Sequence, residues 1–159
     1  MRTQATSTVT ELVIRKLANE LMHQYNLVEK GWQFYFNDNR SRLGVCKEYN
    51  KSIELSIWHV NNSPFESVKN TLLHEIAHAI VGCRHQHNNV WRRKAIEIGC
   101  TGERCGYMNA PYKYTAVCRN CEYSIQVNRA STRSACGRCC NNFNNGRFSS
   151  EYTFIFNRN

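Results

Sequence analysis

The chain has 159 residues, of which 42% are apolar, and a formal net charge of +9. That length supports one well-formed core with room for a small second module, and the apolar content excludes a disordered chain. No run approaches the roughly 18 apolar residues of a membrane span, and charges at Glu11, Arg15 and Lys16 interrupt the N-terminus MRTQATSTVTELVIRKL, so no secretory leader is expected there.

An intracellular location follows as an expectation, in cytoplasm and nucleoid or in a nucleus. In that reducing setting nine cysteines suggest metal rather than disulfides, and an odd number cannot pair completely. The charge is uneven. Residues 1–108 carry 14 basic and 10 acidic groups, whereas residues 109–159 carry seven and two. A basic C-terminal module suggests a polyanionic partner, nucleic acid first among them; a solvated basic face is the plainer alternative.

In chain order, residues 9–25 place Val9, Leu12, Val13, Leu17 and Leu21 at helical spacing, which predicts an amphipathic helix. Trp32 to Phe36 reads as a short aromatic strand ended by Asn37-Asp38-Asn39, and residues 42–47 (RLGVCK) as a second. Residues 52–60 (SIELSIWHV) alternate through Ile53, Leu55 and Ile57, a third strand after the turn Tyr49-Asn50-Lys51. Ser63 as cap, Pro64 at the first helical position and Glu66 three after the cap then open a helix that should stop near Gly82. A His- and Asn-rich loop leads to a basic helix from about Asn89 to Ile98, closed by Gly99. Residues 100–112 read as a linker. Beyond it come β-like runs (YKYTAVC, EYSIQV, EYTFIF), with an Asn-rich mobile turn at 141–146.

The capped helix carries His74-Glu75-Ile76-Ala77-His78, an H-E-x-x-H motif. Four helical residues turn through about 400°, so both imidazoles leave one face and can share a zinc. Glu75, beside the first ligand, can take a proton from the attacking water and pass it to a leaving amine. A catalytic zinc keeps three protein ligands. The metzincin spacing puts the third at Arg84, which excludes that pattern; His85, His87 and Glu97 are the candidates. Arg92, Arg93 and Lys94 could bring positive charge near this cleft, or form a solvated face.

Cys118-x-x-Cys121 and Cys136-x-x-Cys139, 14 residues apart, suit two knuckles joined by a hairpin around a structural zinc. Cys140 could replace Cys139, but the two-residue spacing favours Cys139. Arginines 119, 129, 133, 138 and 147, interleaved with Tyr112, Tyr114, Tyr123, Phe143 and Phe148, suit single-stranded nucleic acid, although a small β-module also needs aromatics for its core. Cys46, Cys83, Cys100 and Cys105 read as structural residues, and His23 and His59 as ordinary helix and strand-end residues.

HEIAHAI followed by His87-Asn88-Asn89-Val90-Trp91, the upstream run Arg42 to Ser56 and the downstream cysteine module together resemble the SprT-like family, over about residues 9–140. The resemblance implies His87 as third ligand, with His85 in reserve because Asn88 stands where the family often has glycine. It implies an α+β, zincin-like metalloprotease domain with helices packed on a small sheet, over residues 1–105, and a small β-rich zinc ribbon over 106–159. It also implies a zinc metalloendopeptidase acting on proteins bound or crosslinked to DNA, with one catalytic and one structural zinc. The strand SIELSIWHV is expected to pair with extended substrate. The rival expectations are a non-catalytic zinc protein that binds nucleic acid, and a zinc peptidase with no nucleic-acid role.

Overall fold

A computed structural model describes residues 9–104, 106 and 110–159. Residues 1–8, Cys105 and residues 107–109 lie outside it, and with them part of the leader reading, part of the linker and the role expected for Cys105. The architecture is α+β, in two compact units that divide between Asn109 and Ala110.

The first unit opens with α1 (Val9–Gln24), which buries Ile14, Ala18 and Met22. The buried stripe is rotated from the expected one. Leu12 and Val13 are 57% and 48% exposed, while Leu17 and Leu21 only border the core. Adjacent apolar pairs at 13–14, 17–18 and 21–22 allow either stripe by periodicity; packing selects the one that also carries Glu11, whose carboxylate accepts from Asn61 Nδ2 at 2.9 Å.

Strands β1 (Gln33–Asn37), β2 (Gly44–Lys47) and β3 (Ser52–Ser56) form a sheet in the order β1-β3-β2. β1 runs parallel to β3, pairing Phe34 with Ile53, and β2 runs antiparallel to it, pairing Cys46 with Ile53. The third strand is shorter than expected. At Ser56 the chain turns into helix α2 (Ile57–Asn62), because the Ser56 hydroxyl caps it by accepting from the His59 N–H. Ile57 is therefore exposed and leaves the Ile53 and Leu55 face.

Helix α3 (Phe65–Val81) is the centre of the unit and buries every residue from Thr71 to His78. It starts one residue later than expected: Pro64 occupies the cap position, while Ser63 Oγ turns back to bond His59 Nδ1 at 2.8 Å. Gly82, at φ +93°, ends the helix and donates its N–H to the His78 carbonyl. A short 3₁₀ turn (Cys83–His85) leads to α4 (Asn89–Glu97), whose cap is Asn88: its Oδ1 accepts from the N–H groups of Val90 and Trp91. Asn88 thus has a role that a glycine could also fill at a helix start.

The second unit is a three-stranded antiparallel sheet, β5-β4-β6, of β4 (Tyr114–Cys118), β5 (Ser124–Val127) and β6 (Phe154–Arg158). Helix α5 (Gly137–Phe143) takes up half of the segment expected to be an Asn-rich mobile turn; the chain reverses after it, through Asn145 and Gly146 at positive φ. The core of this unit is small, built from Ala116, Phe154 and the cysteines Cys118, Cys136 and Cys139.

Candidate metal centre and cleft

Helix α3 presents His74 and His78 on one face, and the chain between the 3₁₀ turn and α4 returns His87 to them. His87 Nε2 lies 3.0 Å from His74 Nε2 and 3.2 Å from His78 Nε2. Two nitrogens bound tetrahedrally to one zinc at about 2.0–2.1 Å would stand about 3.3 Å apart, so the trio fits such an ion. His85, the reserve candidate, instead faces Asn88 Nδ2 at 3.3 Å, and Glu97 is exposed and paired with Lys94 at 2.6 Å. Neither joins the cluster.

Burial first, and then the neighbouring imidazoles, lower the pKa values of His74 and His78 to about 4. His87 is lowered as well, by burial and then by the Arg104 guanidinium. For all three rings burial favours the uncharged form, the one that binds metal. His74 Nδ1 and His78 Nδ1 are buried without a hydrogen-bond partner; the Glu103 carbonyl faces the His74 ring without hydrogen-bond geometry. The wall behind the trio is Trp91, 1% exposed, with its ring centroid 4.5 Å from His74, 4.7 Å from His87 and 5.2 Å from His78.

Glu75 is buried beside the trio, and burial raises its pKa to about 7 against the opposing pull of the Cys46 N–H and Arg42. Together these groups line an open cleft of about 510 Å³, whose other walls are Ser41 to Cys46, Cys83, Gln86, Arg104 and Gly106. The cleft's cations are Arg42 and Arg104. Arg92 and Arg93 lie instead on a separate shallow groove with Asn89 and Ile96.

The strand beside the cleft is β2, not the expected SIELSIWHV. β3 is central and bonded on both sides, whereas β2 is an edge. Leu43 O accepts from the Ser56 N–H, so by antiparallel alternation Gly44 and Cys46 turn their peptide groups away from β3. Ser56, within that expected strand, is fully buried and bonds the Asn39 carbonyl.

Two residues escaped the sequence reading. Gly44 faces Glu75 so closely that a Cβ would stand 3.1 Å from its Cγ and Oε1 and 2.9 Å from Leu55 Cδ2. A glycine inside a strand pattern is the available signal. Arg104 escaped because only tertiary folding brings it to the cleft.

In the second unit Cys118, Cys121, Cys136 and Cys139 converge, with 3.8 Å between Cys118 and Cys139 sulfurs and 3.8 Å between Cys121 and Cys136 sulfurs. Four sulfurs at about 2.3 Å from one zinc have this spacing. The first pair sits on a tight turn after β4, where the Asn120 N–H reaches Cys118 Sγ at 3.5 Å. The second is not a hairpin knuckle, since Cys136 and Cys139 straddle the start of α5. Cys140 is buried next to the group and outside it. Of the aromatics proposed for stacking, Tyr112, Phe143 and Phe148 are exposed, while Tyr123 packs on the core beneath the Arg138 guanidinium, 3.7 Å from its ring centroid. Among the described residues no helix is long and apolar enough to cross a membrane.

An α+β unit with a three-histidine cluster, a buried glutamate and an open cleft beside a sheet edge defines a candidate metallohydrolase class. The sequence profile of the SprT-like family matches residues 13–115, about two thirds of the chain, and the chain belongs to that family. The match ends within β4, short of all four clustered cysteines, and so covers less than the span from 9 to 140 read from the motifs. No curated protein and no solved structure matches the chain significantly.

Proposed function

We propose that this protein is an intracellular, zincin-like zinc endopeptidase of the H-E-x-x-H type that cleaves proteins bound or crosslinked to DNA. The observation that carries the reading is the meeting of three imidazoles, 3.0 and 3.2 Å apart across His87, with a buried carboxylate in an open cleft. His74, His78 and His87 would hold the catalytic zinc. When bound, zinc supplies a Lewis acid that polarises a carbonyl and lowers the pKa of water.

The remaining work falls to this chain's own groups. Extended substrate lies along the open edge of β2 at Gly44, so that its scissile bond passes over the histidines. Glu75, buried beside the histidines, takes a proton from the attacking water onto its carboxylate and returns it to the departing amine. Its raised pKa suits both halves of that transfer.

The four cysteines would hold a structural zinc, because so small a core does not stabilise fifty residues alone. The ribbon would bind single-stranded DNA through its arginines, with Phe143 and Phe148 offering exposed rings to bases. The supporting observation is its charge, seven basic groups against two acidic over residues 109–159.

The test is cleavage of an unstructured protein by zinc-loaded protein beside Glu75→Gln. Cleavage lost with Glu75 supports the peptidase. Zinc bound at the histidines without cleavage of any protein would leave a non-catalytic zinc protein in its place.

A further inference from the structure

Cys46 and Cys83 have no part in the four-cysteine cluster or in the three-histidine cluster. They come from positions 37 apart in the chain, one on the edge strand β2 and one in the 3₁₀ turn after α3. Their sulfurs nevertheless lie 3.5 Å apart, and the Cys83 thiol also donates to the Cys46 carbonyl at 3.7 Å. Both side chains are half-buried and both line the cleft. The turn is already held against the strand, because Glu48, two residues after Cys46, accepts the Cys83 N–H at 3.0 Å. A disulfide needs the sulfurs to close to about 2.05 Å. The two sulfurs therefore have about 1.5 Å to close, a distance that side-chain rotation and a small shift of the turn can cover.

We propose that Cys46 and Cys83 are a redox pair, closed to a disulfide by a peroxide, that tightens the cleft and slows turnover there. The chemistry balances in two steps. The Cys83 thiol attacks the peroxide, the O–O bond breaks, and a sulfenic acid and water are formed. The Cys46 thiol then attacks that sulfur, the S–O bond breaks, and a second water leaves with the disulfide in place. Burial, followed by the neighbouring thiol, pushes the Cys46 pKa up, so Cys83 rather than Cys46 is the sulfur that meets the peroxide first. Exchange with a small thiol reverses the bond.

The effect on the cleft comes from where the turn leads. Cys83 stands four residues before His87 and one after Gly82, so drawing it to β2 moves the segment that carries the third imidazole. A displacement of about 1 Å at such a site is enough to cost turnover. This part rests on the peptidase reading; the disulfide itself does not.

The test treats the zinc-loaded full chain with a few equivalents of hydrogen peroxide, then maps peptides without reduction and records thermal unfolding and turnover. The expected result is a linked peptide joining Cys46 to Cys83, a higher Tm, and turnover reduced several-fold and restored by dithiothreitol. Cys83→Ser should show none of these responses. The same linked peptide should form in Glu75→Gln, which separates the redox pair from the peptidase reading. No linked peptide, or further oxidation of Cys83 without pairing, overturns the redox site. A linked peptide with unchanged turnover in an enzyme that cleaves overturns the control.

Discussion

Gly44 and Glu75 are in contact across the cleft: a Cβ on Gly44 would stand 3.1 Å from both Cγ and Oε1 of Glu75. The space left by the missing side chain is occupied by the proposed general base. The Cys46 N–H, on the same strand, pulls the pKa of that carboxylate down against the effect of burial. In the proposed function one edge strand would do two jobs, presenting backbone to substrate and bordering the base.

Gly44→Ala should therefore lower kcat by about 10–100-fold, the cost of misplacing a catalytic group by a fraction of an ångström to an ångström. Zinc content should stay unchanged, because the histidines lie on other elements. Metal analysis beside steady-state kinetics checks both halves. Wild-type kcat in a folded Gly44→Ala would remove the positioning role.

Glu75→Gln keeps the shape of the side chain and removes its proton chemistry. Turnover should fall by roughly 10²–10⁴-fold. Stability should hold or rise, since a carboxylate that burial pushes up to about 7 is replaced by a neutral amide. Calorimetry of the two proteins reads the second effect independently of the first.

The two metal groups should separate on mutation. His87→Ala should weaken zinc at the histidine site by at least about 10-fold and leave the cysteine group loaded. Cys139→Ser should do the reverse and unfold the second unit, whose small core includes Cys118, Cys136 and Cys139. Zinc stoichiometry by elemental analysis, before and after a chelator, distinguishes them.

Acid should destabilise the metal-free protein in a defined window. Burial holds His59 below its ordinary 6.5, with its ring bonded to Ser63 and Thr71, and lowers His74 and His78 to about 4. Below pH 6.5 the unfolded chain takes protons that the folded one refuses, so stability falls as pH drops from 6.5 towards 4. A pH series of thermal unfolding should show that slope, and His59→Gln should flatten part of it.

Much of the site was legible because it is local. H-E-x-x-H reads directly as a helix face, Gly82 as its end, and paired cysteines as metal ligands. The fold was harder where two local rules competed. Ile53, Leu55 and Ile57 alternate like a strand, but Ser56 is also a helix cap, and the cap prevails. What tertiary contact alone decides stayed hidden: the strand order that makes β2 the edge, Arg104 at the cleft, and two thiols 37 positions apart meeting at 3.5 Å.

The proposed function joins a peptidase to DNA, and one comparison tests both. Zinc-loaded protein and Glu75→Gln are incubated with a DNA-binding protein, with and without single-stranded DNA. Cleavage that requires Glu75 and rises with DNA is the expected result. Glu75-dependent cleavage indifferent to DNA would contradict the nucleic-acid role, and absence of cleavage with zinc bound at the histidines would contradict the enzyme.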